Sequence, residues 1–502
     1  MNVMAPIREA TASQSVEHFD ILIVGAGISG IGSAYQLTKA LPNKSFVILE
    51  TQESFGGTWR THRYPGIRSD SDLHTFGYSF KPWIGPPIAT AEEILSYMGE
   101  VIAENDLDRH IRYGHRIISA SWSSVTNLWT VAAEKGDAAQ VTFTTNFLWM
   151  CQGYYRHSEG YTPEWPDMAK FKGRIVHPQR WPDDIELADK KVVVIGSGAT
   201  AATLIPAIAG KCAHVTMLQR SPTYFRIGRN VIELAEELRK LQVQEEWIHE
   251  IVRRKILFEQ DAFTKLCLAH PDKVAKELIG QISAIVGEDY AAKHFTPSYR
   301  PWRQRLAFLP NADMFESIRD GKASVVTDEI ERFTDRGIKL KSGDELQADI
   351  VVTATGFNLC MLGDIAFTID GAPLAFGDTV TYRGMMFTGV PNMTWVFGYF
   401  RASWTLRTDL VADFVCRLLT HMDETGAKKV VPALRPEDHN MPLSSWIDPE
   451  NFNPGYMMRD MHLLPKRGDK PEWQHSQDYW TEKDQFPAID LEDKVFVYSR
   501  SS

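Results

Sequence analysis

Two glycine clusters and one histidine- and tryptophan-bearing segment are the parts of this 502-residue chain with the residue types and spacing to do chemistry. The first cluster is VGAGISG, where Gly25, Gly27 and Gly30 have the spacing G-x-G-x-x-G. Such glycines permit a tight turn and let a pyrophosphate approach the backbone at a helix N-terminus. Glu50 follows Gly30 by twenty residues, where a carboxylate accepts hydrogen bonds from a ribose hydroxyl. The second cluster is IGSGATA, with Gly196, Gly198 and Ala201 in the variant G-x-G-x-x-A. The strand after it ends in Gln219, Arg220 and Ser221, with no acidic residue. Arg220 suits a 2′-phosphate there, so the second site should prefer NADPH to NADH, and the first an adenosine without that phosphate. The bland alternative for Arg220 is a solvated surface arginine. The third segment is FKGRIVHPQRW, residues 171–181, which puts Phe171, Gly173, His177 and Trp181 just ahead of the second cluster.

Each glycine cluster needs a strand before it and a helix after it. Residues 20–24 form an apolar, β-branched run that reads as a buried strand, and FVILE is a second strand ending at Glu50. Residues 191–195 play the first role for the second cluster. DIVVTATGFN, residues 349–358, reads as a buried strand with a tight turn that returns the chain to the first unit. A helix should begin near Ser403, a suitable N-cap, with Leu406, Leu410, Phe414 and Leu418 at helical spacing. Its N-terminus suits the anionic ring of a reduced flavin. Between Pro222 and Pro271 there is no proline and only Gly228. Leu234, Leu238 and Leu241, then Ile248, Ile251 and Val252, keep a helical rhythm. Residues 223–303 therefore read as a mainly helical insertion.

The expected class is α/β, with two Rossmann-like dinucleotide-binding domains and that helical insertion in the second. The division predicted is a flexible extension over 1–18, the first domain over 19–158 and the second over 159–222. The insertion follows over 223–303, the second domain resumes over 304–357, and 358–502 completes the first. Two dinucleotide sites in one chain imply electron transfer between cofactors, with NADPH giving hydride to a flavin in the first site. ESFGGTWR adds Gly56 and Gly57 for another close backbone approach, and Trp59 either covers a flat ring or packs in the core.

Composition narrows the rest. Net charge is −10 with no cluster of Lys and Arg, so nucleic acid is not an expected partner. The five cysteines are far apart and form no CxxC pair, which opposes a disulfide reductase and a zinc site. No metal is expected. No apolar run is long enough for a transmembrane helix, and the first residues lack the pattern of a signal peptide. A cytoplasmic monomer or homodimer is expected, with peripheral membrane association left open through the insertion.

FKGRIVHPQRW matches F-x-G-x-x-x-H-x-x-x-W, the fingerprint of type I (class B) flavin-dependent Baeyer–Villiger monooxygenases. GGTWRTHRYPGIRSD, residues 56–70, resembles that family's G-G-x-W-x-x-x-x-Y-P-G-x-x-x-D. The resemblance covers nearly the whole chain and is nearest the ethionamide-activating branch, through RYPGIRSDSD, VVIGSGATA, TMLQRSPTY, TATGFN and ASWTL. It implies an enzyme in which NADPH reduces FAD and oxygen is held as a C4a-peroxyflavin. That peroxide attacks a ketone, and the adduct rearranges to an ester or lactone, with side activity on sulfides or thioamides.

The resemblance also assigns residues. Arg305 matches the catalytic cation, and Asp70 the carboxylate facing it. Ser29, Glu50, Thr58, Trp59, Arg60, Thr61 and Asp70 match FAD-contacting positions, beside Gly25, Gly27, Gly30 and Gly57 and the backbone of Ile117. Arg68, Ser69 and Asp70 match positions near the nicotinamide. Gly196, Ser197, Gly198, Ala199, Thr200, Ala201, Ala202, Thr203, Arg220 and Ser221 match the NADPH site. Phe171, Gly173, His177 and Trp181 are implied to orient the domains rather than to act as acid or base. One departure matters: many relatives have Lys where this chain has Gln304, so NADPH preference rests more on Arg220. The alternatives are an N- or S-oxygenating flavin monooxygenase, an uncoupled NADPH oxidase or flavin reductase, and a nucleotide-binding protein without turnover.

Overall fold

The computed structural model describes residues 16–136 and 139–500. Residues 1–15 of the expected extension lie outside the described residues, and Glu17 and His18 already belong to the first strand. Strands β1 (Glu17–Val24), β2 (Phe46–Leu49), β3 (Ile111–Arg112), β4 (His115–Ser123), β5 (Leu128–Lys135) and β6 (Ala139–Met150) form most of one large sheet. Ala366–Ile369 and Ala372–Pro373 extend it beyond β4, giving the order Ala372–Pro373, Ala366–Ile369, β4, β5, β6, β1, β2, β3. β1 pairs in parallel with β2 and β6, and β5 runs antiparallel to β4 and β6. Ile21, Leu22 and Ile23 are fully buried, as expected of a parallel strand covered on both faces. Helix Ile28–Ala40 follows β1 and packs on helix Trp404–Thr425.

The chain leaves this sheet through β7 (Tyr155–Gly160) and enters a second sheet. There β8 (Arg174–Val176), β9 (Lys191–Ile195) and β10 (His214–Gln219) are built first. β11 (Phe225–Gly228) and β12 (Ala307–Pro310) pair with each other across the inserted helices. β13 (Ala323–Thr327) returns to the sheet. β14 (Ile330–Phe333), β15 (Gly337–Leu340) and β16 (Glu345–Gln347) make a small meander, and β17 (Ile350–Thr353) closes the set. The order β13-β10-β9-β17-β8 is parallel throughout. Both sheets are thus nucleotide-fold sheets, with helices Ile28–Ala40 and Ala199–Ile208 starting at the glycine clusters.

The expected insertion over 223–303 is mainly helical, but it opens on β11 before helices Glu233–Lys240, Glu245–Ala269, Pro271–Val286 and Glu288–His294. Ile248 and Val252 face its core as their spacing implies. Leu241 and Ile251 do not: they are 74% and 41% exposed. Leu241 sits just past the end of its helix, and Ala235, Ile248, Val252 and Ile256 close the helix pair without it. Arg253 docks the insertion on the first domain, where it donates to the carbonyls of His74, Thr75 and Gly77 at 2.9, 3.2 and 3.2 Å.

The two crossings between the sheets run side by side. β18 (Phe357–Leu359) pairs antiparallel with β7, matching Phe357 with Gly160 and Leu359 with Tyr155. His177 grips both crossings. Its Nδ1 accepts from the Gln179 amide at 3.1 Å, so in the neutral ring Nε2–H donates to the Gly356 carbonyl, 3.3 Å away. Burial lowers the ring's pKa and favours this neutral form. The ring lies so near Gly160 that a Cβ there would be 1.9 Å from His177 Cε1. The Gln179 side-chain Nε2 donates to the carbonyls of Arg156 and His157 at 2.7 and 2.8 Å. Phe171 packs against Phe333, and a Cβ on Gly173 would be 2.4 Å from the Asp349 carbonyl oxygen. Trp181 is half-buried against the second sheet's core. Each fingerprint residue therefore fastens the linker.

Arg407, on helix Trp404–Thr425, is 0% exposed and pairs with the buried Glu482 at 2.8 Å. Removing one partner strands a buried charge. Glu482→Ala is expected to cost about 3–5 kcal/mol, read as a lowered unfolding midpoint, whereas Arg407→Met with Glu482→Leu should recover most of it. Equal losses in the single and double variants would contradict this.

Candidate active site

A cleft of about 890 Å³ lies between the two sheets and is lined from both. It opens at the C-terminal ends of β1 and β9, where nucleotide folds of this kind bind their ligands. Gly25 leaves β1 with φ +97°, and a Cβ on Gly30 would be 1.9 Å from the Gly25 carbonyl oxygen, so the first and third glycines serve the turn. Gly196 has φ +125°, and a Cβ there would be 2.3 Å from the Ala354 carbonyl oxygen. The second glycines differ. A Cβ on Gly198 would meet nothing within 4 Å, and one on Gly27 only Gly57 Cα at 3.7 Å. Both glycines are N-caps of helices with no side-chain cap bond and no acidic residue in the first turn. Their first amides therefore remain donors toward the cleft, as a pyrophosphate requires.

Glu50 sits at the end of this cradle, 5% exposed. Its carboxylate accepts from the amides of Ala26 and Gln52 at 2.7 and 2.8 Å. Burial raises its pKa, and these amide bonds work the other way. Each oxygen keeps a second lone pair for a ribose hydroxyl. Ser29, Gly57, Thr58, Trp59 and Ile117 also line the cleft. Arg60 and Thr61 do not. Arg60 is exposed, and the Thr61 hydroxyl donates to the Gly57 carbonyl and approaches His157 at 3.1 Å.

From the second sheet, Ser197, Gly198, Ala199, Thr200 and Thr203 line the cleft. Ala201 and Ala202 are fully buried and face the core, so their part is close helix–sheet packing. Gly196 shapes the turn. Arg220 and Ser221 are exposed at the end of β10, outside the lining, and Arg220 has no ion pair or side-chain hydrogen bond among the described residues.

Arg305 and Asp70 meet in the cleft through two bonds, Nε to Oδ2 at 2.7 Å and Nη2 to Oδ1 at 2.6 Å. Burial opposes the Asp70 charge, but Arg305 outweighs it and holds the carboxyl below its ordinary range. Asp70 in turn raises the pKa of Arg305. The Arg305 side chain is 45% exposed, with Gln304 and Arg305 both facing the cleft. Two residues earlier, Arg68 makes the reverse pair, its Nη1 and Nη2 reaching Asp313 at 2.5 and 3.1 Å. Ser69 lies between, its hydroxyl bonded to the backbone of Ser71. The segment around residue 69 is therefore pinned to the second domain by two Arg–Asp pairs of opposite sense.

Several lining residues escaped the sequence reading. Tyr154 stacks on Trp404 with centroids 5.5 Å apart and packs against Tyr456 at 5.9 Å. Trp404 Nε1 donates to Ser29 Oγ at 2.8 Å. Tyr154 follows β6, at a strand end facing the crevice, which was a usable signal; Tyr456 has none. Ser403 stands at the N-cap of helix Trp404–Thr425 but makes no cap bond, because its hydroxyl bonds Thr75 at 2.7 Å instead. Among the described residues, no group of three or more His, Cys, Asp or Glu side chains could hold a metal ion. No described helix is long and apolar enough to cross a membrane.

The second glycines supply a test. Gly198→Val should keep FAD and fold normally while weakening NADPH binding at least tenfold. Gly27→Val should yield protein purified without FAD. A yellow Gly27→Val protein, or unchanged NADPH binding by Gly198→Val, would refute the two cradles.

Comparison with known proteins agrees with this geometry. Residues 23–84 match the family described as NAD(P)-binding Rossmann-like domain. Residues 92–359, just over half of the chain, match L-lysine 6-monooxygenase/L-ornithine 5-monooxygenase. The FAD-containing monooxygenase EthA of Mycolicibacterium smegmatis is 46% identical over 92% of this chain and 94% of its own. A probable FAD-binding monooxygenase AlmA of Acinetobacter baylyi is 42% identical over 97% of each. Among solved structures, an oxidized steroid monooxygenase bound to NADP superposes with TM-score 0.76 at 23% identity, covering 96% of this chain and 100% of that one. A cyclohexanone monooxygenase from Rhodococcus bound to NADP⁺ gives 0.75 at 21%, covering 97% and 100%. The fold, the first-sheet cradle and the curated relatives concur, and the chain belongs to the FAD-containing flavin monooxygenases.

Proposed function

We propose that this enzyme inserts one atom of O₂ beside a ketone carbonyl to give an ester or lactone, a Baeyer–Villiger oxidation, using FAD and NADPH. The observation that carries the reading is the Arg305–Asp70 pair inside the cleft that both glycine cradles face. FAD on the first cradle, reduced by NADPH on the second, would supply the activated oxygen. Gly25, Gly27 and Glu50 would hold its diphosphate and ribose, and Gly198 with the amides after it would hold the pyrophosphate of NADPH.

The chain's own contribution is charge and position. Oxygen insertion next to a carbonyl develops negative charge on oxygen, and a fixed cation is the group that stabilises it. Arg305 is such a cation, and Asp70 fixes its planar fork through both of its bonded nitrogens. Arg305 retains other N–H donors that Asp70 does not use, and these are available to an oxyanion. The aromatic wall of Trp59, Tyr154, Trp404 and Tyr456 is suited to excluding water from the same space.

The match to L-lysine 6-monooxygenase/L-ornithine 5-monooxygenase favours a second reading, oxygenation of nitrogen or sulfur. That chemistry uses an electrophilic oxygen and develops no oxyanion for Arg305 to hold. Arg305→Ala separates the two. It should stay yellow and be reduced by NADPH, while ester formation falls about 10²–10³-fold. Unchanged ester yield would remove Arg305 from the mechanism, and sulfoxide formation without ester in the unaltered enzyme would favour the second reading.

Arg220, exposed at the end of β10, is proposed to bind the 2′-phosphate of NADPH. Arg220→Ala should raise KM for NADPH at least tenfold and leave KM for NADH nearly unchanged. Equal effects on both would contradict 2′-phosphate recognition.

A further inference from the structure

Behind the cleft wall lies a group of arginines that the proposed reaction does not use. Arg300, Trp302 and Arg303 precede Arg305 in the chain, and Arg401 comes from the loop before helix Trp404–Thr425. Arg300 Nη2 donates to the backbone oxygen and Oδ1 of Asn451 at 3.0 and 3.1 Å. Arg401 Nη2 donates to the same two atoms at 2.8 and 2.9 Å, and to the Trp302 carbonyl at 3.0 Å. Two guanidiniums thus converge on one neutral amide.

Further donors beside them are unmade. Arg401 Nε, Arg303 Nε and Trp302 Nε1 are buried and have no partner. Arg303 has one carboxylate, Glu450, at 3.0 Å, itself 84% exposed. Arg300 and Arg401 have no carboxylate within ion-pair distance among the described residues. Burial, and then the neighbouring charge of Arg300, lower the Arg401 pKa to about 10. Three other arginines with little exposed surface do have carboxylate partners. Arg407 has Glu482 at 2.8 Å, Arg435 has Asp438 at 2.7 Å, and Arg253 has Asp409 at 3.9 Å. Unpaired, partly desolvated charge is costly, and donors left unmade add to that cost.

We infer that Arg300, Arg401 and the free N–H groups of Trp302 and Arg303 form a binding site for an oxyanion, a carboxylate or phosphate, distinct from the dinucleotide sites. A planar guanidinium pair matches that ligand class. Buried apolar side chains adjoin the site. Arg401 stands 5.7 Å from the Phe452 ring centroid, and Trp302 packs in the cluster around Tyr224 and Leu306. The same chemistry therefore fits a free oxyanion or the head of an apolar carboxylate.

Thermal unfolding of the FAD-loaded protein tests this. Sodium phosphate should raise the midpoint beyond sodium chloride at matched ionic strength, in a saturable way. In Arg300→Gln and in Arg401→Gln the half-effect concentration should rise at least tenfold, while Arg220→Ala should respond like the unaltered protein. No rise beyond chloride would overturn the site. So would an unchanged response in both Arg300→Gln and Arg401→Gln, or loss of the response in Arg220→Ala. If Arg401→Gln does not fold, Arg300→Gln and the unaltered protein still decide. Acetate and decanoate, run the same way, identify the source. Decanoate acting tenfold below acetate, and losing that advantage in Arg300→Gln, marks an apolar carboxylate. Equal potency marks a free oxyanion.

Discussion

The bidentate pair between Arg305 and Asp70 is the contact on which the site depends. Its partners are 235 residues apart and come from different nucleotide folds. Neither charge could be held so near the other's surface without compensation, because partial burial penalises both. Together they place a fixed cation inside the cleft, and the reversed pair of Arg68 and Asp313 fastens the same segment a second time. The cation's position is therefore only as well defined as the docking of one domain on the other.

That docking rests on a narrow connection. Two strands, β7 and β18, carry the chain between the sheets, and His177 closes over them through the Gly356 carbonyl and the bare Cα of Gly160. A neutral imidazole suits this place, since one nitrogen must accept and the other donate. Gln179 extends the grip to the carbonyls of Arg156 and His157. The fingerprint segment is thus a fastening between the two sheets that line the cleft, and its residues do not line that cleft. The arginine group behind the wall adjoins the cation itself, since Arg300 and Arg303 precede Arg305 in one short loop.

Local constraints were legible in the sequence and long-range ones were not. Gly25, Gly30 and Gly196 announce themselves because backbone geometry demands glycine there, and β1 and β9 because burial on both faces leaves a continuous apolar run. The helical insertion was legible from its lack of proline, yet Leu241 and Ile251 face out, because helix pairing rather than periodicity chose the buried stripe. Ser403 was placed correctly at a helix start, but tertiary contact with Thr75 took its hydroxyl from the capping role. Ala201 and Ala202 share the glycine motif and serve only packing. Arg305 carries no local mark at all. Only resemblance to a known family singled it out, because its meaning comes from Asp70. Tyr456 was missed for the same reason, since its packing against Tyr154 joins distant loops.

The central claim is that the cation in the cleft serves attack on a carbonyl. The most direct measurement gives the purified enzyme FAD, NADPH, air, and a mixture of a linear methyl ketone with an aryl methyl sulfide. Ester, sulfoxide and hydrogen peroxide are then each quantified. The account predicts an ester carrying one added oxygen, with sulfoxide as a lesser product. Sulfoxide in the absence of ester, across methyl ketones of several chain lengths, would contradict it.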